Sequence, residues 1–140
     1  VLAGPENLVT ARDRVAAFTA ALPGPARIVH GDFTRDGGYA AAHALDLDGI
    51  DLVFAVNDVM AIGAMSALRD RGVSVPGDIG VAGFDDISTA RYVTPALTTV
   101  SVALEDAGAA SVALALGTTT DKVAVISSHV VVRDSTPPRS

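Results

Sequence analysis

Short continuous runs of apolar residues alternate along the chain with segments whose apolar residues recur at helical spacing. Residues 52–56 are all apolar, which is typical of a parallel strand buried on both faces. A helical segment at 59–71 follows, with its apolar positions on one face and Gly72 as its predicted C-cap. A second apolar run at 79–82 predicts the next strand. The pattern therefore predicts strand, helix and strand in direct succession.

The same alternation extends toward both ends of the chain. Residues 10–22 predict a helix with Thr10 as N-cap, and Pro23 ends it. The other predicted elements are, in order, a strand at 27–30, a Gly-rich turn, a helix at 39–45, a strand at 97–102, a helix at 104–116 and a strand at 129–133. Strands and helices that alternate with short loops favour the doubly wound α/β class, built on a parallel sheet.

Composition and charge narrow the class of protein. The chain has 140 residues, the length of one ordinary domain, and 49% of them are apolar, which excludes a disordered chain. No apolar run approaches the roughly 20 residues of a membrane span, so we expect a soluble protein. Ten basic and sixteen acidic residues give a formal charge of −6. A net negative charge disfavours binding to the phosphates of nucleic acid. The absence of cysteine suits a cytoplasmic protein.

The first residues, 1–5, have the pattern of the last residues of a buried strand and its turn. They include neither an initiator Met nor a basic segment of the kind that opens a signal peptide. We therefore expect residue 1 to lie inside a longer protein.

Polar residues follow three of the predicted strands at the points where the strands end. Asp32 and Phe33 follow the first of these strands, Asn57 and Asp58 the second, and Asp85 and Asp86 the third, and Arg14 should point toward the same edge. In open α/β sheets, ligands bind beyond the carboxyl ends of the strands. A carboxylate, an amide and a guanidinium, joined by one aromatic ring, suit a polyhydroxylated ligand. The sequence therefore predicts a site for a sugar-like molecule at this edge, with Phe33 as a candidate platform for the sugar ring.

Each of these residues also has a purely structural interpretation. Phe33 could cap the core from a loop, and Asn57 could be the N-cap of the helix that follows it. Asp85 and Asp86 could form an Asx-type turn or cap a helix at Ser88. Arg14, taken alone, could be a solvated helix residue.

Motifs of catalytic and cofactor sites do not occur in the sequence. There is no nucleophile elbow, dinucleotide fingerprint, P-loop or zinc-protease helix, and His30, His43 and His129 lack metal-ligand spacing. Asp85 and Asp86 are neighbours in sequence, unlike two carboxylates that face each other across a scissile bond. We therefore predict no catalytic residues, no metal site and no cofactor.

Several motifs, at matching spacing, resemble the LacI/GalR family of transcriptional repressors. The resemblance runs from Gly4 to Thr136 in the family's order. It is carried by the runs FAVNDVMAIGA at 54–64, VPGDIGVAGFDDI at 75–87, PALTTV at 95–100 and VRDST at 132–136, with GDFT at 31–34 and GY at 38–39.

The resemblance implies a periplasmic-binding-protein-like fold of two α/β subdomains, joined by crossover strands around an effector cleft. It assigns residues 1–90 to most of the C-terminal subdomain, 96–126 to the N-terminal subdomain and 129–136 to a returning strand. The whole chain would be a partial effector-binding domain, 1–140, without the DNA-binding headpiece.

The resemblance also implies roles for single residues. Arg14, Phe33, Asn57 and Asp85 match effector-binding positions of the family, although many members carry glycine where this sequence has Ala17. Family members form dimers through the helix that begins near Val59. The residues that the resemblance places in the dimer interface are Val59, Ile62 and Val93.

The function so predicted is that of the ligand-sensing part of a cytoplasmic repressor, in which a small sugar-like effector controls operator binding allosterically. The expected partners are the effector, a second copy of the chain and, through the headpiece alone, operator DNA; no membrane is involved. The effector could be a pentose, a hexose, a sugar phosphate or a purine. The alternative from another class is an exported sugar-binding protein of a transporter. An enzyme with Asp85 or Asp32 as nucleophile is the third interpretation, which fold alone does not exclude.

Overall fold

A computed structural model describes residues 1–120 and 122–136. Its strands and helices follow one another almost strictly in alternation. They are β1 (Leu2–Ala3), α1 (Val9–Ala20), β2 (Val29–His30), α2 (Arg35–Ala44), β3 (Leu52–Phe54), α3 (Asp58–Asp70), β4 (Gly80–Ala82), a short 3₁₀ helix (Ser88–Arg91), β5 (Thr99–Val102), α4 (Leu104–Ala115) and β6 (Ser128–Val131). Within residues 1–120 and 122–136, no helix is long and apolar enough to cross a membrane.

The strands form one predominantly parallel arrangement. β1 pairs with β2 and β3 pairs with β4, both in parallel, and a parallel bridge between Leu2 and Ala55 joins the two pairs. A second parallel bridge, between Ala82 and Thr98, brings the start of β5 beside β4. The spatial order is therefore β2, β1, β3, β4 and β5, which confirms the predicted parallel α/β class.

The end of the chain departs from this parallel order. β5 and β6 pair in antiparallel fashion, with Thr99 opposite Val131. The helix between them, α4, contains no buried residue. After β6 the chain returns to the sheet, where the buried Ser135 donates its hydroxyl to the carbonyl oxygen of Val81 at 2.6 Å.

The core lies between the sheet and its helices. The ring of Phe18 on α1 stacks on the ring of Phe54 on β3, with centroids 4.3 Å apart. α2 and α3 pack directly on each other, since a Cβ atom at Gly38 would collide with the backbone of Met60 and one at Gly63 with the backbone carbonyl of Arg35. Glycine at these two positions lets the helix backbones approach closely.

The boundaries of two helices differ from those predicted. α1 begins at Val9 with Leu8 as N-cap and no side-chain capping bond, so the prediction of Thr10 as N-cap was wrong. α2 begins at Arg35, within the segment predicted as a Gly-rich turn, because the Thr34 hydroxyl accepts a hydrogen bond from the Gly37 amide at 2.9 Å.

Substituting alanine for Gly63 should destabilise the protein, because the facing backbone of α2 leaves no room for the added methyl group. We expect the free energy of unfolding, measured by urea denaturation, to fall by about 1–3 kcal/mol. Gly108→Ala is the matched control, since it lies in a helix and its added Cβ would meet nothing within 4 Å. It should be neutral or stabilising by up to about 1 kcal/mol. Equal effects of the two substitutions would contradict the close packing of α2 on α3.

Candidate ligand-binding site

Asn57 connects two loops at the carboxyl end of the sheet. Its side-chain oxygen accepts a hydrogen bond from the Met60 amide at 2.8 Å, so it is the N-cap of α3. Its side-chain nitrogen donates to the carbonyl oxygen of Phe33 at 3.2 Å. The capping interpretation of Asn57 therefore holds, and the same side chain also fixes the loop that carries Phe33.

Phe33 lies at the start of that loop with a left-handed backbone, at φ 66°. Its ring leaves no space for a side chain at Gly4, where an added Cβ would lie 2.5 Å from the nearest ring atom. The residue is only half-buried, although it packs on the core. Packing on Gly4 fixes the ring while part of it stays accessible at the edge of the sheet.

Arg14 is held by three groups and is not a freely solvated helix residue. One guanidinium nitrogen donates to the carbonyl oxygen of Val56 at 2.7 Å, and another lies 3.0 Å from a carboxylate oxygen of Asp85. The guanidinium also lies 3.9 Å from the centre of the Phe84 ring, a cation–π contact. These contacts bring the helix α1 side chain to the ends of β3 and β4, as the sequence predicted.

Asp85 occupies a strained position in the loop after β4. Its φ is 110°, a conformation that side-chain-bearing residues rarely adopt, and its amide donates to the carbonyl oxygen of Val100 at 2.9 Å. The side chains of Arg14 and Asp85 keep exposed fractions of 25% and 34%, so both are within reach of a ligand. The strain is held by the surrounding contacts.

The structure thus brings the four predicted residues to one edge of the sheet as two contacting pairs, Arg14 with Asp85 and Asn57 with Phe33. Arg14 also bonds to the residue directly before Asn57, which joins the pairs. Beside Asp85 lies an open groove of about 360 Å³, bordered by Asp86 and the start of α4. Its volume falls at the lower end of the range for small-molecule sites.

Two acidic residues at these strand ends, which the resemblance did not match to effector-binding positions, support the site from below. Asp58 is fully buried, and its carboxyl accepts hydrogen bonds from the Thr99 hydroxyl at 2.5 Å and the Ile87 amide at 2.9 Å. Burial raises the pKa of Asp58, and the nearby charges of Asp85 and Asp86 add to the rise, while the two hydrogen bonds oppose it. The sequence placed Asp58 beside Asn57 at the end of a strand but did not indicate its hydrogen-bond partners.

Asp86 makes the second supporting contact. Its carboxylate lies 2.6 Å from the guanidinium of Arg133, which is far away in sequence. Burial alone would raise the pKa of Asp86, but the hydrogen bond and charge of Arg133, together with a hydrogen bond from Ser101 and the charge of Arg91, outweigh it, and the pKa lies below its usual value. Asp86 is therefore an anchored residue, and nothing in the local sequence indicated its partner.

No group of three or more His, Cys, Asp or Glu residues in the described parts of the chain could hold a metal ion. Nor do Asp32 and Asp85 show the surroundings of a nucleophile. Asp32 accepts hydrogen bonds from the amide and hydroxyl of Thr34, which lower its pKa, and Asp85 pairs with Arg14. The arrangement suits hydrogen bonding to a bound molecule.

Comparison with known proteins gives one family and a consistent set of relatives. The profile of the periplasmic binding protein-like domain matches residues 4–136. The HTH-type transcriptional regulator CelR of Thermobifida fusca is 34% identical over 96% of this chain and 43% of its own length. The HTH-type transcriptional repressor PurR of Haemophilus influenzae (strain PittEE) is 37% identical over 71% of this chain and 32% of its own length. The chain thus spans less than half the length of these curated relatives.

Solved structures of LacI-family regulators share the fold. A sugar-binding regulator of this family from Escherichia coli, complexed with phosphate, superposes with a TM-score of 0.84 at 32% identity, over 96% of this chain and 52% of its own. The lac repressor dimer bound to operator and the anti-inducer ONPF superposes with a TM-score of 0.86 at 30% identity, over 96% of this chain and 51% of its own. The complex of CelR with cellobiose superposes with a TM-score of 0.78 at 34% identity, over 96% of this chain and 45% of its own.

The Asp58→Asn variant should alter the pH dependence of stability. A carboxyl whose pKa is raised by folding stabilises the folded state below its unfolded pKa of about 3.9, and that contribution is lost as the pH rises through the folded-state pKa. An amide does not ionise; its oxygen can accept from the Ile87 amide while its NH2 group donates to the Thr99 hydroxyl oxygen. The free energy of unfolding of the variant, relative to the parent, should therefore increase between about pH 4 and pH 7.

Urea denaturation at a series of pH values measures this difference. Asp48→Asn, at an exposed loop position, is the matched control. A variant whose relative stability falls as the pH rises would show that Asp58 is stabilised as the carboxylate and that the burial effect is outweighed.

Proposed function

Because the chain belongs to the family of periplasmic binding protein-like domains, in the form found in LacI-family regulators, we propose that it is the ligand-sensing part of a transcriptional repressor. It binds a small sugar-like effector and thereby changes the affinity of the whole protein for operator DNA. No bond is made or broken in this activity. The proposed location is the cytoplasm, where the operator lies.

One observation carries this proposal: Arg14 and Asp85, on different elements, form an ion pair at the edge where Asn57 and Phe33 also meet. A ligand with adjacent hydroxyl groups can donate to the carboxylate and accept from the guanidinium, and so replace a contact that the two side chains already make. The aromatic ring of Phe33 offers a face for the C–H groups of a sugar ring.

We further propose the domain layout that the family implies, with 1–90 in one subdomain, 96–126 reaching into the other and 129–136 returning. The apolar surface of α4 supports it. Leu104 and Leu116 are 67% and 71% exposed, and α4 has no buried residue of its own. Such a face is expected where a segment packs on a part of the protein outside this chain.

The alternative, an exported sugar-binding protein of a transporter, would use the same cleft. The relatives described above are transcriptional regulators, which favours the repressor. The start of the complete gene distinguishes the two, since a helix-turn-helix there would support the repressor and a signal peptide would support the transporter protein.

The proposed function is tested by screening the full-length protein for ligands with a thermal-shift assay and then measuring operator binding with and without each hit. The panel contains cellobiose, monosaccharides, sugar phosphates and nucleobases. A ligand at 100 times its Kd adds about 2.7 kcal/mol of apparent stability. Ligands that stabilise the protein without changing operator affinity would contradict the repressor and favour the transporter protein.

Replacing Asp85 by alanine in the full-length protein should weaken effector binding. The substitution removes the charge-assisted hydrogen bonds that the carboxylate accepts from the effector. The affinity for the effector should therefore fall by roughly tenfold to 150-fold for each bond lost. Operator binding without ligand should change little. Isothermal titration calorimetry measures the first quantity and fluorescence anisotropy of labelled operator the second.

The control for this experiment is Asp48→Ala, at an exposed loop position away from the site. Asp86→Ala is unsuitable, because it would leave Arg133 without its carboxylate partner. If Asp85→Ala lowers the melting temperature but keeps effector affinity, Asp85 is a turn residue and its assignment to the site is wrong.

We also propose that the chain forms a homodimer through Val59, Ile62 and Val93. Ile62 and Val93 line one open groove of about 370 Å³, together with Met65 and Pro95, and Val59 lies one turn earlier on α3. All three proposed interface residues are only half-buried. An apolar groove of this kind is expected where another protein surface packs.

The Ile62→Asp variant should be monomeric at concentrations where the parent is a dimer, because an aspartate would have to be buried without a partner in the interface. Sedimentation velocity measures the oligomeric state. Ile28→Asp is the matched control, since Ile28 is 45% exposed and borders a different groove. A dimer that survives Ile62→Asp and dissociates with Ile28→Asp would place the interface on the other edge of the sheet.

A further inference from the structure

The loop that carries Asp85, residues 83–87, is held in a conformation that its sequence does not favour. Both Asp85 and Asp86 have a positive φ, at 110° and 51°. Aspartate tolerates the left-handed region that Asp86 adopts, but the φ of Asp85 lies beyond it and persists only where surrounding contacts impose it. The groups that hold this loop therefore determine where the Asp85 carboxylate lies.

Arg133 is the principal side chain that holds the loop from one side. One guanidinium nitrogen lies 2.6 Å from the carboxylate of Asp86, and another donates to the carbonyl oxygen of Leu97 at 2.8 Å. The exposed fractions are only 14% for Arg133 and 16% for Asp86. A charge-assisted hydrogen bond so shielded from water is stronger than an exposed surface pair.

The position of Arg133 in the chain gives this contact its significance. Leu97 lies on the segment that leads into β5, and Arg133 lies on the segment that leaves β6. These two segments also bind each other directly, since the Thr98 hydroxyl accepts from the Arg133 amide at 2.8 Å. β5 and β6 carry the chain out to α4 and back. Arg133 thus joins the 83–87 loop to both of these strands at once.

A second anchor acts from beneath the loop. The buried Asp58 accepts hydrogen bonds from the Ile87 amide and from the hydroxyl of Thr99 on β5. The Asp86 amide points to the same hydroxyl, at 3.4 Å. The end of the loop at Asp86 and Ile87 is therefore attached to Thr99 on β5, directly and through Asp58, and Arg133 adds the attachment to the returning segment.

We propose that the ion pair between Asp86 and Arg133 is a clamp that makes the 83–87 loop move as one body with the segments that enter β5 and leave β6. The effect of this clamp on regulation rests on the proposed function. A ligand that binds the Asp85 carboxylate contacts a loop that is rigidly attached to β5 and β6. Any movement of the loop on ligand binding is therefore passed to these strands, which lead to the rest of the protein. Asp86 and Arg133 are positioning residues, since they lie beside the ligand-binding side chains and act through the loop.

The first test needs no ligand. Hydrogen exchange, measured by mass spectrometry on the full-length protein, should show that Arg133→Gln lowers protection together in the loop and in the segments 97–102 and 128–133. Asp86→Asn keeps the shape of the side chain and removes its charge, so it should lower protection in the same places to a smaller extent. Arg71→Gln is the matched control, because the Arg71 side chain bonds, among the described residues, to the carbonyl oxygens of Ala42 and Leu45 at the end of α2, away from the loop.

The second test measures regulation, with cellobiose or the strongest ligand of the screening panel as the probe. The ratio of operator affinities with and without the probe should shrink at least about fivefold in both clamp variants. The double variant should resemble Arg133→Gln, because the two residues act as one unit. Arg71→Gln should lower the melting temperature and keep the ratio.

Each outcome bears on a different claim. Unchanged exchange in the loop, or loss of protection in the loop without loss in the two strand segments, overturns the clamp. A wild-type ratio in both clamp variants also overturns it. A parent protein whose operator affinity responds to no ligand of the panel contradicts the proposed function, and the exchange experiment then decides the clamp by itself.

Discussion

The buried carboxyl of Asp58 accepts hydrogen bonds from the Ile87 amide and the Thr99 hydroxyl. The backbone amide of Asp58 donates to the carbonyl oxygen of Phe84 at 2.8 Å. Through these bonds the N-terminus of α3, the loop after β4 and the start of β5 become a single unit. A fully buried carboxyl is costly unless its hydrogen bonds are satisfied, and here both oxygens have a partner. The strained backbone of Asp85 can persist because this unit holds the loop on either side.

The proposed ligand-binding edge is built on that unit. Arg14 reaches it from α1 and pairs with Asp85, so the two side chains that we propose to bind the ligand are held in place by each other. Preorganised side chains lose little conformational freedom when a ligand binds, and their contacts with a sugar replace contacts that exist already. The affinity of such a site depends on how well the ligand's hydroxyl groups reproduce the geometry of the ion pair.

The close packing of α2 on α3 has a separate role. Glycine at positions 38 and 63 lets the two helix backbones meet, which places the N-terminus of α3 beneath the loop of Phe33. Asn57 then caps α3 and binds the Phe33 carbonyl with the same side chain. A residue with a structural explanation can thus also set the geometry of a site, and the two interpretations of Asn57 do not compete.

The sequence by itself determined the order of strands and helices, because apolar periodicity and strand-end polar residues depend on local pattern alone. It also determined that Arg14, Asn57 and Asp85 lie at one edge, since the carboxyl ends of parallel strands and the start of the flanking helix meet there. Tertiary packing decided that the segment with Gly37 and Gly38 is helical, because Gly38 lies against the backbone of Met60 on α3, although the Thr34 cap at its start is a local contact. Tertiary structure alone decided the partners of Asp58 and Asp86 as well, because Thr99 and Arg133 are 41 and 47 residues away and no local pattern encodes contacts across that separation.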